Sequence, residues 1–187
     1  MADVQFVQHQ FPINLGSAGT QYNVTVPGMG FTPVAAIFVM GKTSTNDDVS
    51  VNIFTATGFY DGTNNCSIGY GARDAISTSA SAASSVNDAC LSYAIPNFGS
   101  APTVNRVAKG VGFIADGVTL EVITQNNLAR LCTVVFIGGA DASNASIVEA
   151  TLGGSGVPTP VAVGYEPDLI FMLCCSARSG VGIYRCP

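Results

Sequence analysis

The sequence predicts an all-β protein, an antiparallel two-sheet β-sandwich, and three features carry that expectation. Apolar residues recur with period two over short stretches, while no stretch sustains the 3.6-residue period of an amphipathic helix. Gly, Pro, Asn and Asp punctuate the apolar runs at short intervals. The runs are strand-length, which leaves about nine to eleven strands and no helix of ordinary length to serve as a crossover. Each sheet has an apolar face that it must cover, so two packed sheets follow, with a closed barrel as the second architecture.

Val4 and Phe6 alternate with polar neighbours as an N-terminal strand or arm, and residues 8–20, broken by Pro12, Gly16 and Gly19, read as a loop or extended connection. Val24 and Val26 begin a strand that stops at Pro27-Gly28. Val34–Met40 is a continuous apolar run between Pro33 and Gly41, as a central strand would be. Val49, Val51 and Ile53 alternate with Ser50 and Asn52, which predicts one buried and one wet face. Residues 61–71 read as turns around a short strand. The Ser/Ala-rich stretch 76–86 reads as a long surface loop or a strand edge, because its serines compete for backbone hydrogen bonds. Cys90–Ile95 is a strand closed by Pro96. Asp116-Gly117 predicts a type I′ hairpin between residues 111–115 and 118–123. Leu131–Ile137 forms another core strand, and strands are expected at Val161–Val163, Leu169–Cys175 and near Ile183-Tyr184.

The 187 residues fit one domain, divided as an N-terminal arm or edge segment at 1–20 and a single sandwich domain at 21–187. Only 10% of residues are charged, against about 25% in ordinary soluble domains. Either much of the surface faces other subunits, where isolated charges are costly to desolvate, or hydroxyls and amides alone keep the chain soluble. The net charge is −5, from 7 Lys plus Arg against 12 Asp plus Glu, and the basic residues are scattered, Arg106 and Lys109 being the one close pair. Gripping a phosphate backbone takes several cations at once, so nucleic acid is not an expected partner. The N-terminus lacks the pattern of a secretory signal, and the longest apolar run is too short to cross a bilayer as a helix, so no membrane partner is expected. Six cysteines, at 66, 90, 132, 174, 175 and 186, read as buried free thiols, half of them in strand-like apolar runs. Cys174 and Cys175 point to opposite faces of a strand and are poorly placed to bond each other.

One phrase occurs twice. Gly30-Phe31-Thr32-Pro33 precedes the apolar run 34–38, and Gly164-Tyr165-Glu166-Pro167 precedes residues 168–172. Glycine relaxes the backbone, the aromatic plugs a sheet end, and proline fixes φ just before the ladder begins. With Gly112–Leu120 and Phe136–Ala140, these phrases resemble a family of β-rich proteins encoded by tailed bacteriophages and prophages, over roughly residues 22–175. The resemblance implies a jelly-roll-like sandwich on the virion, as a capsid decoration, cement or tail-associated subunit, synthesised in the host cytoplasm. The chain departs from the family in its few charges, its cysteine-rich C-terminal run and its Ser/Ala segment.

Means for chemistry are sparse. His9 is the one histidine, so a histidine metal site or a His-based triad has little to build on. No Cys-x-x-Cys pair offers a zinc site. Asp47, Asp48, Asp61, Asp74 and Asp88 sit in turns and loops, and the 61–65 stretch offers at most a weak oxygen-ligand site. Neither Gly110-Val111-Gly112 nor Gly153–Gly156 leads into a Walker lysine or a helix. No catalytic, cofactor-binding or metal-binding residue is therefore expected, nor a cofactor. The expected function is a structural virion protein, most of all a capsid decoration or cement protein that stabilises the shell through contacts with the major capsid protein or other virion subunits. Self-association, as a trimer for instance, suits that role. Segments 1–20 and 76–86 are the expected contacts. The alternative is a tail- or fibre-associated receptor-binding module, with Tyr60, Tyr70 or Phe59 stacking on a glycan beside Asp61 and Asn64.

Overall fold

The computed structural model describes residues 3–13, 16–41, 52–73, 80–95, 103–124, 130–148, 150, 160–167 and 169–172. Among them lie ten strands and no helix. The strands are β1 (Gln5–Ile13), β2 (Gln21–Thr25), β3 (Ala35–Gly41), β4 (Asn52–Tyr60), β5 (Asn65–Arg73), β6 (Ala80–Val86), β7 (Leu91–Ile95), β8 (Thr103–Ile114), β9 (Gly117–Val122) and β10 (Arg130–Gly138). They form a six-stranded sheet in the order β1-β10-β3-β4-β5-β6 and a four-stranded sheet in the order β2-β9-β8-β7. Every pairing is antiparallel. The architecture is the β-sandwich that the period-two patterning predicts.

The two most apolar runs take the central places. β3 and β10 pair with each other, flanked by β4 and β1, and turn Phe38, Met40, Val134 and Phe136 into the core. The four-stranded sheet meets them with Val24, Leu91, Tyr93, Val107, Val118 and Leu120. Each side chain of this size contributes roughly 1.5–3 kcal/mol on leaving water, so this interface is the main source of stability.

The sheets come closest at β7. Gly58 and Gly69 lie opposite its backbone: a Cβ at Gly69 would stand 2.6 Å from the Tyr93 Cα, and one at Gly58 would collide with the Cys90 carbonyl. Beside them the Ser67 and Ser92 hydroxyls hydrogen-bond at 2.7 Å inside the core. At one end of the core Arg130 is buried and stacks on Phe54, its Cζ 4.2 Å from the ring centroid. Phe54 in turn stacks on Tyr93 at 4.2 Å. A guanidinium tolerates this position because its flat face is weakly hydrated and the ring quadrupole attracts it.

Several expectations change. Residues 8–13 are not a loop: β1 pairs with β10 along its whole length, its polar Gln8 and Gln10 facing out while Phe11 and Ile13 enter the core. Residues 80–86 are edge strand β6, the strand-edge form of the reading for 76–86, and Ala82, Ser84 and Val86 are small enough to be buried there. Residues 65–73 form a nine-residue strand instead of a short one. Ile53 does not lie on a buried face and is 62% exposed. The hairpin is displaced by one residue: Ile114 pairs with Gly117, so Ala115 and Asp116 form the loop. Asp116 carries the positive φ, 61°, and Gly117 is needed instead because a Cβ there would strike the Val24 carbonyl of the neighbouring strand. Residues 161–163 and 169–172 join no ladder. The expected strands and thiols at 173–187 lie outside the described residues, as do Asp47, Asp48, Asp74, Val49 and Val51.

Candidate interaction surface

Strand register sorts the six-stranded sheet into two faces. His9, Val134, Phe38, Gly58, Ser67 and Val86 lie in one row across it, on the side of the core. The adjacent row, Gln8, Val135, Ile37, Phe59 and Cys66, lies on the outer side. Continued along the strands, the outer set includes Phe6, Ile137, Leu131, Val39, Ile53, Thr55, Thr57, Ile68, Tyr70, Ala83 and Ser85. No outer position of the six strands carries a charged residue. Arg73 and Arg130, at strand ends, fall by register in the other set.

The other sheet presents the opposite chemistry. Lys109 pairs with Glu121 at 3.0 Å and Arg106 with Asp88 at 2.7 Å. Gln21 donates to the Glu121 carboxylate, and the Thr119 hydroxyl donates to the Asn23 side chain. Hydrogen bonds from Lys109 and Gln21 hold the Glu121 carboxyl below its ordinary range. The sandwich thus has one outer face made for water and one without a charge.

The segment after β10 returns to the uncharged face. Phe171 approaches Phe59 with ring centroids 6.3 Å apart. Along Leu169–Met172 exposure alternates, lower at Leu169 and Phe171 and higher at Ile170 and Met172. All four side chains are exposed, and the weak alternation is that of an extended segment whose Leu169 and Phe171 side lies nearer the sheet. Its lead-in shares backbone geometry with the lead-in to β3: Gly30 and Gly164 are both left-handed, at φ 82° and 76°.

Asp61 anchors the chain beside this face. Its carboxylate accepts hydrogen bonds from the Thr63 and Asn64 amides, the Asn64 side chain and the Ile147 amide. Partial burial raises its pKa, but these donors outweigh that and hold it below the ordinary value. A carboxylate ringed by N–H donors is already satisfied, which leaves the 61–65 turn poorly suited to a cation. Among the described residues no group of His, Cys, Asp or Glu side chains could hold a metal ion.

The other residues singled out in the sequence are dispersed. Tyr60 is not exposed: its ring packs on Phe113 and over Gly110, and its hydroxyl donates to the Gly62 carbonyl at 2.9 Å. His9 lies near Phe11, their rings parallel and 6.3 Å apart. Cys66 is half-buried, and Cys90 and Cys132 are buried free thiols. Burial pushes the Cys90 thiol up to about 12 and raises Cys132 as well, so neither supplies a thiolate at neutral pH. Asp88 is engaged with Arg106.

The two segments expected to make contacts prove to be related. Each contains one edge of the six-stranded sheet, β1 in the first and β6 in the second. Neither strand contains a charge, and β1 has one proline, Pro12, near its end. Natural edge strands are usually blunted by lysine, proline or shortness, because a bare edge templates pairing with another chain. Sequence reasoning did not find the uncharged outer face, although its signal was present: β3, β4 and β10 carry apolar residues at both parities. Protein-family models, curated proteins and solved structures all fail to match this chain.

Proposed function

We propose that this chain is a non-catalytic structural subunit of a larger protein assembly, and, following the resemblance, a virion protein of a tailed bacteriophage. Within the virion the favoured place is the head, as a decoration or cement protein bound to the major capsid protein or other shell subunits. The observation that carries the assembly reading is the outer face of the six-stranded sheet, whose outward positions hold no charge and which is bounded by two uncharged edge strands. Such a surface gains free energy by leaving water and has no ion to desolvate. The virion placement rests on the quoted phrases of the sequence. For a glycan-binding module, burial of Tyr60 leaves Phe59 and Tyr70 as the aromatics on offer.

Imaging purified particles with the protein present and absent tests the proposal. Extra density on the shell, and loss of shell stability without it, is the expected result. Density at a tail tip, or absence from particles, would overturn the decoration reading.

A further inference from the structure

We propose that the outer face of the six-stranded sheet, with the apolar segment 169–172 beside Phe59, is the surface on which a second copy of this chain packs. This rests on the assembly reading above and names the partner of that surface. The first argument is area. Phe6, Val39 and Ile53 on the sheet, with Leu169, Ile170, Phe171 and Met172, are each 45 to 75% exposed. At about 150 Å² for a fully exposed side chain, the low end for an aromatic because most of these are aliphatic, the seven together present on the order of 600 Å² of apolar surface. A stable interface buries about 800 Å² per partner, a little over half of it apolar, so these side chains would supply the apolar share of one.

The second argument is charge. Copies packed about a symmetry axis bring the same side chains together, so a charge near the axis meets its own kind. The chain carries a net charge of −5, so two copies repel wherever their charged surfaces meet. The uncharged sheet face sets no charge against its own kind, while the face bearing Glu121, Asp88, Lys109 and Arg106 would have to strip water from two ion pairs to be buried. The third argument is continuity: the Phe59–Phe171 contact joins the segment to the sheet face, which makes one patch of two elements distant in sequence.

The test is the mass of the full chain in solution, by light scattering after size exclusion, at micromolar concentration. Twice the 19.1 kDa chain mass or a higher multiple is expected. Ile53→Asp and Ile170→Asp, at positions 62% and 68% exposed, should each return the mass to that of one chain with an unchanged far-ultraviolet spectrum. Val104→Asp, on the four-stranded sheet, should leave the mass unaltered. A wild-type mass of one chain, or an oligomer that survives both aspartates, would overturn the inference. If particles carry the protein while the free chain is monomeric, this inference alone fails. An oligomer through this face, from a protein absent from particles, supports it and removes only the virion reading.

Discussion

Gly58 in β4 lies directly beneath the Cys90 carbonyl, with no room for a methyl group between the two sheets. The relationship explains why a strand otherwise rich in β-formers contains glycine on its core side. Backbone packs against backbone here, so a larger residue meets atoms that cannot rotate away.

Gly58→Ala should therefore destabilise the protein by about 3 kcal/mol, the upper part of the range for overpacked cores. Gly69→Ala, against Ser92 and Tyr93, should behave alike. Gly41→Ala has open space around its Cβ and should change stability by no more than about 0.5 kcal/mol. Urea denaturation of the three variants checks the ordering.

Asp116 holds two turns together. Its carboxylate accepts from the Gly30 amide at 2.7 Å, its own amide donates to the Phe31 carbonyl, and its carbonyl accepts from Val26. Asp116→Ala loses the side-chain acceptor and places alanine at positive φ, so a loss of about 1–2 kcal/mol is expected. Asp116→Gly relieves the backbone but not the missing acceptor and should fall between alanine and wild type. Thermal melts of both variants measure the difference.

Asp61 gives a pH signature. Its folded carboxyl sits below the ordinary 3.8, so its contribution is present above that value and is lost as pH falls through the folded pKa. Asp61→Asn should cost about 1 kcal/mol near neutral pH, discounted for partial exposure. The gap between variant and wild type should start to narrow at about pH 4 and close once pH is below the folded pKa. Equal destabilisation at pH 7 and pH 3 would remove the account.

The thiols should separate by burial. Cys90 and Cys132 stay protonated and covered at pH 8, so a maleimide should label them only as fast as the protein unfolds. Cys66, half-buried on the outer sheet face, should react sooner. Peptide mapping by mass spectrometry after a short pulse distinguishes the sites.

The strands richest in Val, Ile and Phe were legible in the sequence, because β3 and β10 need no partner's identity to look like core. β6 was ambiguous since Ala and Ser become strand residues only when a neighbour such as Tyr70 supplies the ladder. β1 was hidden by Gln8, His9 and Gln10, whose alternation with Val7 and Phe11 is regular but largely polar. Ile53 shows the deeper limit. Period two says that a strand has two faces, yet when both carry apolar residues it does not say which one meets the second sheet. The candidate surface inherits that ambiguity, since its definition depends on which face β7 and β9 cover. Residues 169–172 have strand composition, but composition carries no information on where a free sheet edge will be found.

The matching backbones at Gly30 and Gly164 have a consequence for how the chain acquires its fold. Two segments with a left-handed glycine before similar apolar content offer the chain two candidates for the slot between β10 and β4, of which β3 takes it. During synthesis β3 emerges first and β4 follows it closely, so the two can pair long before residues 169–172 leave the ribosome. Refolding from denaturant removes this head start and lets both contenders search at once. Folding from the ribosome is thereby expected to be cleaner than folding from urea, with order of arrival deciding what the turn geometry leaves open.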